Sequence, residues 1–282
     1  MIISNKIKKG AAKFTDESRG NYISSETAIS EDCVGMKIYD YPIFAFGCAH
    51  DEIYEKYKSP DIIGNHFLTP TQWLPNAKTV ISFFLPYTEK VKLANARDYL
   101  WPAKEWLHGR FEGQLFLQSL SVYIKQLLQE EGFECLIPAD DSRFSVKDAN
   151  TKTNFTSNWS ERHVAYACGL GTFGLSKGII TKKGMCGRLG SILTELDLPK
   201  NDRPYKKVYE YCTMCGACIP HCPPQAISLG EGKDSFLCST FVDKVREKSE
   251  PRYGCGKCQV NVPCESGIPV IDKKINNPKF NF

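Results

Sequence analysis

Four cysteines, Cys212, Cys215, Cys218 and Cys222, follow the spacing C-x2-C-x2-C-x3-C, and Pro223 comes directly after the last. That run is the bacterial ferredoxin signature, in which three thiolates wrap one [4Fe–4S] cubane and the fourth reaches a second one. A cubane needs several thiolates converging from a single tight loop, and Gly216 relieves crowding where backbone meets cluster. Four further cysteines follow at Cys238, Cys255, Cys258 and Cys264. Crossed pairing predicts Cys212, Cys215, Cys218 and Cys264 around one cluster and Cys222, Cys238, Cys255 and Cys258 around the other. The second half is not a simple repeat, since Cys238 stands alone and five residues separate Cys258 from Cys264. Structural zinc sites would also use C-x2-C pairs, but zinc needs neither the third x2 cysteine nor the Cys-Pro ending.

The remaining five of the thirteen cysteines, Cys33, Cys48, Cys135, Cys168 and Cys186, are scattered and sit in no ligand spacing. They read as small buried hydrophobes. A disulfide scaffold belongs to short secreted chains, whereas this one has 282 residues and opens on "MIISNKIKKGAAKF". That opening has no long apolar run and no small-residue cleavage site, so a cytoplasmic location is expected. No stretch is long and apolar enough for a transmembrane helix. The formal charge of +4 gives no general electrostatic drive toward nucleic acid.

Something must position the cysteine-rich module. Residues 1–70 show little pattern beyond Pro42, Pro60 and Pro70. The run Thr79-Val-Ile-Ser-Phe-Phe-Leu85, ended by Pro86, predicts a buried strand. From about Phe111 to Glu130, Leu115, Leu117, Leu120, Ile124, Leu127 and Leu128 make a helical stripe, with Gly132 as C-cap. Phe133–Ile137 predicts another strand, and residues 140–158 a polar loop. Asn158 with Glu161 predicts an N-cap and capping box for a short helix over about 159–168. A glycine-rich segment covers 169–190, Ser191–Thr194 predicts a strand, and Asp197–Tyr205 a linker. The expected organisation is α+β: a core over 1–200, a ferredoxin-like two-cluster module over 205–270 and a tail over 271–282.

Gly169-Leu-Gly-Thr-Phe-Gly174 fits G-x-G-x-x-G, the dinucleotide fingerprint. That fingerprint must follow a strand and open a helix, because the pyrophosphate sits on the helix N-terminus. Here a helix precedes the glycines and a turn-rich, β-branched segment follows, which removes the basis for NAD. Gly169 is expected to be the C′ residue of the preceding helix.

"NWSERHVAYACGLGTFGLSKGIITKKGMCGRLGSILTELDLP", followed by "YCTMCGACIPHCPPQAI" and "YGCGKCQVNVPC", resembles the epoxyqueuosine reductase family, which is related to the corrinoid reductive dehalogenases. The likeness runs from about Trp73 to Cys264. It implies a nitroreductase-related α/β core carrying the ferredoxin-like module, with the clusters feeding a cobalamin. It also implies that Gly169, Gly171, Thr172, Phe173 and Gly174 approach the macrocycle, and that Arg188, Gly190 and Ser191 line the same pocket. The family's catalytic aspartate corresponds in position to Phe155, so that proton donor is not carried over, and Asp140 and Asp141 lie too far upstream to replace it. Glu161, His163 and Tyr166 remain the nearest candidates, although Glu161 also suits a capping role. The sequence runs to Phe282 without the helical-repeat extension that many members use with tRNA, and it has no twin-arginine signal.

The expected function is a cytoplasmic iron–sulfur oxidoreductase: two [4Fe–4S] clusters reduce a cobalamin that acts on a small molecule or modified nucleoside. An external donor such as flavodoxin or ferredoxin would supply electrons, and no membrane is involved. The alternatives are an electron-transfer partner with no corrinoid of its own and, third, epoxyqueuosine reduction on tRNA.

Overall fold

The computed structural model describes residues 3–147 and 156–270. The elements that frame the site are α1 (Ile3–Glu17), β1 (Ile43–Cys48), β2 (Thr79–Pro86), α2 (Glu89–Ala96), α3 (Lys104–Glu130), β3 (Cys135–Leu136), α4 (Glu161–Ala167), β4 (Gly171–Phe173), β5 (Ile179–Thr181), β6 (Gly187–Thr194) and α5 (Ser235–Ser249). Phe155 and the tail over 271–282 lie outside the described residues. No helix among those described is long and apolar enough to cross a membrane.

An antiparallel sheet in the order β1-β2-β6-β3 forms the centre. All eight residues of β2 are buried, as a continuous apolar run covered on both faces must be. On one face Ile81, Phe83, Leu85 and Ile192 pack with α1 and α3. On the other, Val80, Phe84 and Leu193 pack with Trp73, Trp159 and Val164. Ser82 pairs with Ser191 in the β2–β6 register, and cross-strand partners project from the same face. The short β3 pairs only with Leu193 and Thr194.

Helix α3 starts at Lys104, seven residues before the apolar stripe begins, and ends as expected at a glycine. Gly132 has φ +85°, its N–H reaches Gln129 O at 2.9 Å and Phe133 N reaches Leu128 O at 3.1 Å, which is a Schellman closure. Residues 1–70 are more regular than the sequence pattern suggests. Their helix α1 lies on α3 at a glycine: a Cβ at Gly10 would stand 3.0 Å from both Leu127 Cδ1 and Tyr123 Oη. Strand β6 begins at Gly187 rather than at Ser191. Gly187 and Gly190 explain why the sequence hides this, since a side chain at the first would enter Leu85 O and at the second would meet Phe83 Cζ at 2.5 Å.

The cysteine-rich segment is joined to this core at several points. Met185 N donates to Cys264 O at 3.0 Å and Cys186 N to Glu265 O at 3.2 Å. Gly256, at φ +66°, lies against the Trp106 ring with no room for a Cβ. Arg252 pairs with Glu112 on α3, and its Nε is 3.2 Å from Glu112 Oε2. Deepest is Lys257, which is 2 % exposed and donates from Nζ to Asn95 O and Asp98 O, both at 2.7 Å. Asn95 Nδ2 in turn donates to Cys255 O at 3.0 Å. Lys257→Met leaves two buried carbonyls without a donor, so it is expected to lower unfolding stability by about 1–3 kcal/mol. Anaerobic urea melts check this, and an unchanged midpoint would show that water replaces the ammonium.

Candidate active site

Helix α4 is short because its sequence ends it on both sides. Gly169 closes it at φ +87°, with Gly169 N on Tyr166 O at 3.2 Å and Leu170 N on Ala165 O at 2.9 Å. The first residue before the helix is Ser160, not Asn158. Asn158 instead braces the upstream loop, donating to Arg143 O at 2.8 Å and accepting from Ser145 N at 2.9 Å. Ser160 makes no side-chain cap, because its hydroxyl lies 2.8 Å from His163 Nδ1. Glu161 is therefore not a capping residue. Its Oε2 is buried and has no hydrogen-bond partner.

Burial pushes the Glu161 carboxyl up to about 7, against the opposing pull of Ser191 and Trp159, while nearby Asp140 adds to the rise. Ser191 itself accepts from Trp159 Nε1 at 2.9 Å. A carboxyl in this range is half protonated near neutrality and can deliver a proton. His163 moves the other way: burial first, then Arg162, pulls it down to about 4. Its imidazole is neutral at physiological pH and cannot serve there as a cationic acid. Tyr166 uses its carbonyl to accept from Tyr205 Oη at 2.7 Å, and its ring packs beside Phe173 and Tyr205. Of the three sequence candidates, Glu161 alone has an unpartnered buried polar atom among the described residues.

Arg188 on β6 projects from the opposite face. It bonds to Gln114 of α3, and its Nε is buried without a partner. Ser82 Oγ is likewise unpartnered, and nothing in the pattern points to it, because Ser82 sits inside an apolar strand. Sequence reasoning also missed Arg162. It keeps an exposed surface, yet protein crowds it enough that desolvation lowers its pKa.

The glycine segment forms the β4–β5 hairpin, and its own packing accounts for its composition. A Cβ at Gly171 would collide with Ile180 O, and one at Gly174 would stand 3.2 Å from Ile180 Cδ1. Thr172 Oγ1 accepts from Tyr211 N at 2.9 Å, and Phe173 N donates to Val208 O at 2.9 Å. The hairpin thus clamps the chain just before Cys212. The Phe173 ring lies 5.0 Å from His163, so the hairpin also walls the α4 side of the site.

The eight module cysteines fall into two neighbourhoods. Cys212, Cys215, Cys218 and Cys264 line one cavity. Burial pushes Cys264 up to about 12, with Cys212 and Cys215 adding to it. Burial likewise raises Cys255 to about 12, with Cys258, Cys238 and Cys222 adding. Cys258 also acts on Cys218 and Cys264, so the two neighbourhoods adjoin. Among the described residues no three His, Cys, Asp or Glu side chains converge as ligands to one ion do. Thiolates on a cubane bind separate irons and stand further apart than ligands to a single zinc. The five other cysteines behave as packing residues: Cys33, Cys135, Cys168 and Cys186 are buried and Cys48 half-buried.

Comparison with known proteins fits this arrangement. The 4Fe-4S binding domain family matches residues 205–228. An epoxyqueuosine reductase of Bacillus cereus is 26% identical over 234 residues, covering 75% of this chain and 54% of the relative. Over that stretch the chain is similar to epoxyqueuosine reductases. It spans about half the length of that relative. A crystal structure of an epoxyqueuosine reductase with an epoxyqueuosine-modified tRNA stem loop shares its fold at TM-score 0.51 and 19% identity, over 82% of this chain and 63% of that one. A reductive dehalogenase whose structure suggests a mechanism for B12-dependent dehalogenation does so at TM-score 0.50 and 12% identity, over 81% and 30%.

Two outcomes follow from the geometry. Gly171→Ala is expected to cost about 1–3 kcal/mol, seen as a lower thermal midpoint, and no change would mean that the hairpin yields easily. If Glu161 is the proton donor, turnover falls as pH rises through about 7, because the deprotonated carboxylate has no proton to give. Glu161→Gln should remove that alkaline limb along with most of the rate; an unchanged pH–rate profile would exclude the role.

Proposed function

We propose that this chain is an iron–sulfur reductase whose nitroreductase-related core, residues 1–200, binds a corrinoid, and whose module, residues 205–270, holds two [4Fe–4S] clusters. Cys212, Cys215, Cys218 and Cys264 hold the first cluster, and Cys222, Cys238, Cys255 and Cys258 the second. The observation that carries this reading is the gathering of these eight cysteines into two adjoining sets beside α4. Arg162 supports it, since one residue after Glu161 it comes near Cys238 and Cys258.

Support for the corrinoid rests on polar atoms. Glu161 Oε2 and Ser82 Oγ are buried without partners on one face of the sheet, which suits a ligand rimmed with amides, and Arg188 Nε is unpartnered on the other face. The glycines add nothing to it, because the chain's own atoms fill the space beside Gly171, Gly187 and Gly190. A bound corrinoid supplies a cobalt centre able to pass electrons to the substrate. Glu161 holds the proton, Phe173 and His163 wall the site, and Arg188 offers a cationic donor. The reductant is a one-electron donor protein of the flavodoxin or ferredoxin class.

The substrate we favour is a modified nucleoside rather than a haloarene. The tRNA stem loop bound by a structural relative weighs toward the tRNA reading more than the slight charge weighs against it. A second reading, an electron-transfer partner without a corrinoid, draws on the glycines, whose space is already filled. Metal analysis separates these readings. Anaerobically purified protein should carry about eight irons per chain and bind cobalamin tightly on reconstitution. Stoichiometric zinc with little iron would overturn the clusters; full iron with no cobalamin binding would favour the electron-transfer partner.

A further inference from the structure

We propose that Lys233 and Arg162 hold the second cluster at a higher reduction potential than the first, so that single electrons entering at the first come to rest on the cluster beside α4. This rests on the two-cluster reading given above.

The two thiolate sets differ sharply in surroundings. The cavity lined by Cys212, Cys215, Cys218 and Cys264 contains no charged side chain; Leu175, Ile180, Val262 and Pro263 are among its walls. The nearest polarisable groups are thioethers, with Met185 Sδ 3.3 Å from Cys264 Sγ and Met214 Sδ 3.8 Å from Cys212 Sγ. The residue after Cys264 is the carboxylate Glu265, which accepts from Asn261 N at 2.6 Å.

Around the second set the charge is positive. Lys233 pairs with Ile227 in a two-stranded ladder, and Ile227 shares a small buried group with Cys222, against which Cys238 and Cys258 pack along with Cys212 and Cys218. The Lys233 side chain is half-buried, and its charge couples to Cys258 and Cys238. Arg162 approaches Cys238 and Cys258 from the core side. Cys238 lies in the first turn of the fifteen-residue α5, the positive end of the helix dipole. Backbone adds a donor as well, since Ala226 N reaches Cys222 Sγ at 3.2 Å. The opposing charge is Asp234, whose carboxylate is engaged by Phe236 N at 2.9 Å and Leu237 N at 3.1 Å, with Lys177 also beside it.

Reduction adds one negative charge to a cluster, so nearby cations and donors favour the reduced state and raise the potential, more strongly away from water. Cys215 is exposed, which puts the first cluster within reach of a donor protein. One electron then leaves the reduced first cluster and is taken up by the oxidised second. No bond or proton moves in that step. Arg162 thereby belongs to both sites, adjoining Glu161 in sequence and the second cluster in space.

EPR-monitored potentiometric titration of the full, iron-loaded chain tests this. The expected result is two midpoints, the higher one assigned to the second cluster by its loss or altered signal in Cys238→Ser. Lys233→Met and Arg162→Met should each reduce that cluster's reduced-to-oxidised ratio about tenfold at fixed potential, about 59 mV downward for one electron. The other midpoint should stay in place, and Lys233→Arg should restore the wild-type value. Coincident midpoints, or a midpoint that neither substitution moves, would overturn the proposal. Iron content short of two clusters would instead overturn the reading on which it rests.

Discussion

A buried ammonium fastens the cysteine-rich segment to the core. Lys257 lies between Cys255 and Cys258, and its ammonium is bound by two backbone carbonyls, Asn95 O at the end of α2 and Asp98 O in the turn after it. An unpaired charge at such depth would cost several kcal/mol, so the segment cannot lift away without exposing both carbonyls and amine. The module has little apolar interior of its own: Leu175, Cys222, Ala226 and Ile227 make up one small buried group. A segment so poor in core residues needs external support, and it gets it from Trp106, Asn95 and Met185 of the larger body. That support also fixes where the cysteines stand relative to α4.

The glycine-rich hairpin serves the same end. Three glycines in a G-x-G-x-x-G pattern suggest a nucleotide loop only when a strand leads in and a helix leads out. Here a helix leads in and a hairpin leads out, and the glycines are needed where β4 and β5 press together. Thr172 and Phe173 then bind the chain entering the cysteine run. A pattern that reads as a ligand site in sequence is, in three dimensions, a clamp between core and module.

How much was legible depended on whether the signal was local. The ferredoxin spacing, the buried run of β2, the stripe of α3 and the glycine cap at Gly169 were readable because each is written in one short stretch. Helix α1 was harder, since Gly10 and a row of lysines dilute an apolar stripe of Ile3, Ile7, Ala11 and Phe14; Gly10 makes sense only against Leu127 and Tyr123, more than a hundred positions away. Strand β1 went unread in the same way, within a stretch that showed little pattern beyond its prolines. The capping-box pattern misled, because Asn158 had a better use in the preceding loop and Glu161 turned inward. Ser82 could not have been found at all: only the pairing of two strands puts its hydroxyl beside Ser191.

Glu161 and Arg162 show why a helix suits this position. Successive residues on a helix point about 100° apart, so neighbouring residues of α4 can present an acid and a cation in different directions. Burial raises the Glu161 carboxyl to about 7, and in the reading proposed above Glu161 supplies the proton while Arg162 supplies charge beside the clusters. On that reading the proton and the charge beside the clusters are fixed to one rigid backbone. A displacement of α4 would disturb both together, which is a reason for the Schellman closure at Gly169 and for the stacking of Phe67 on Trp159 that hold it at its two ends.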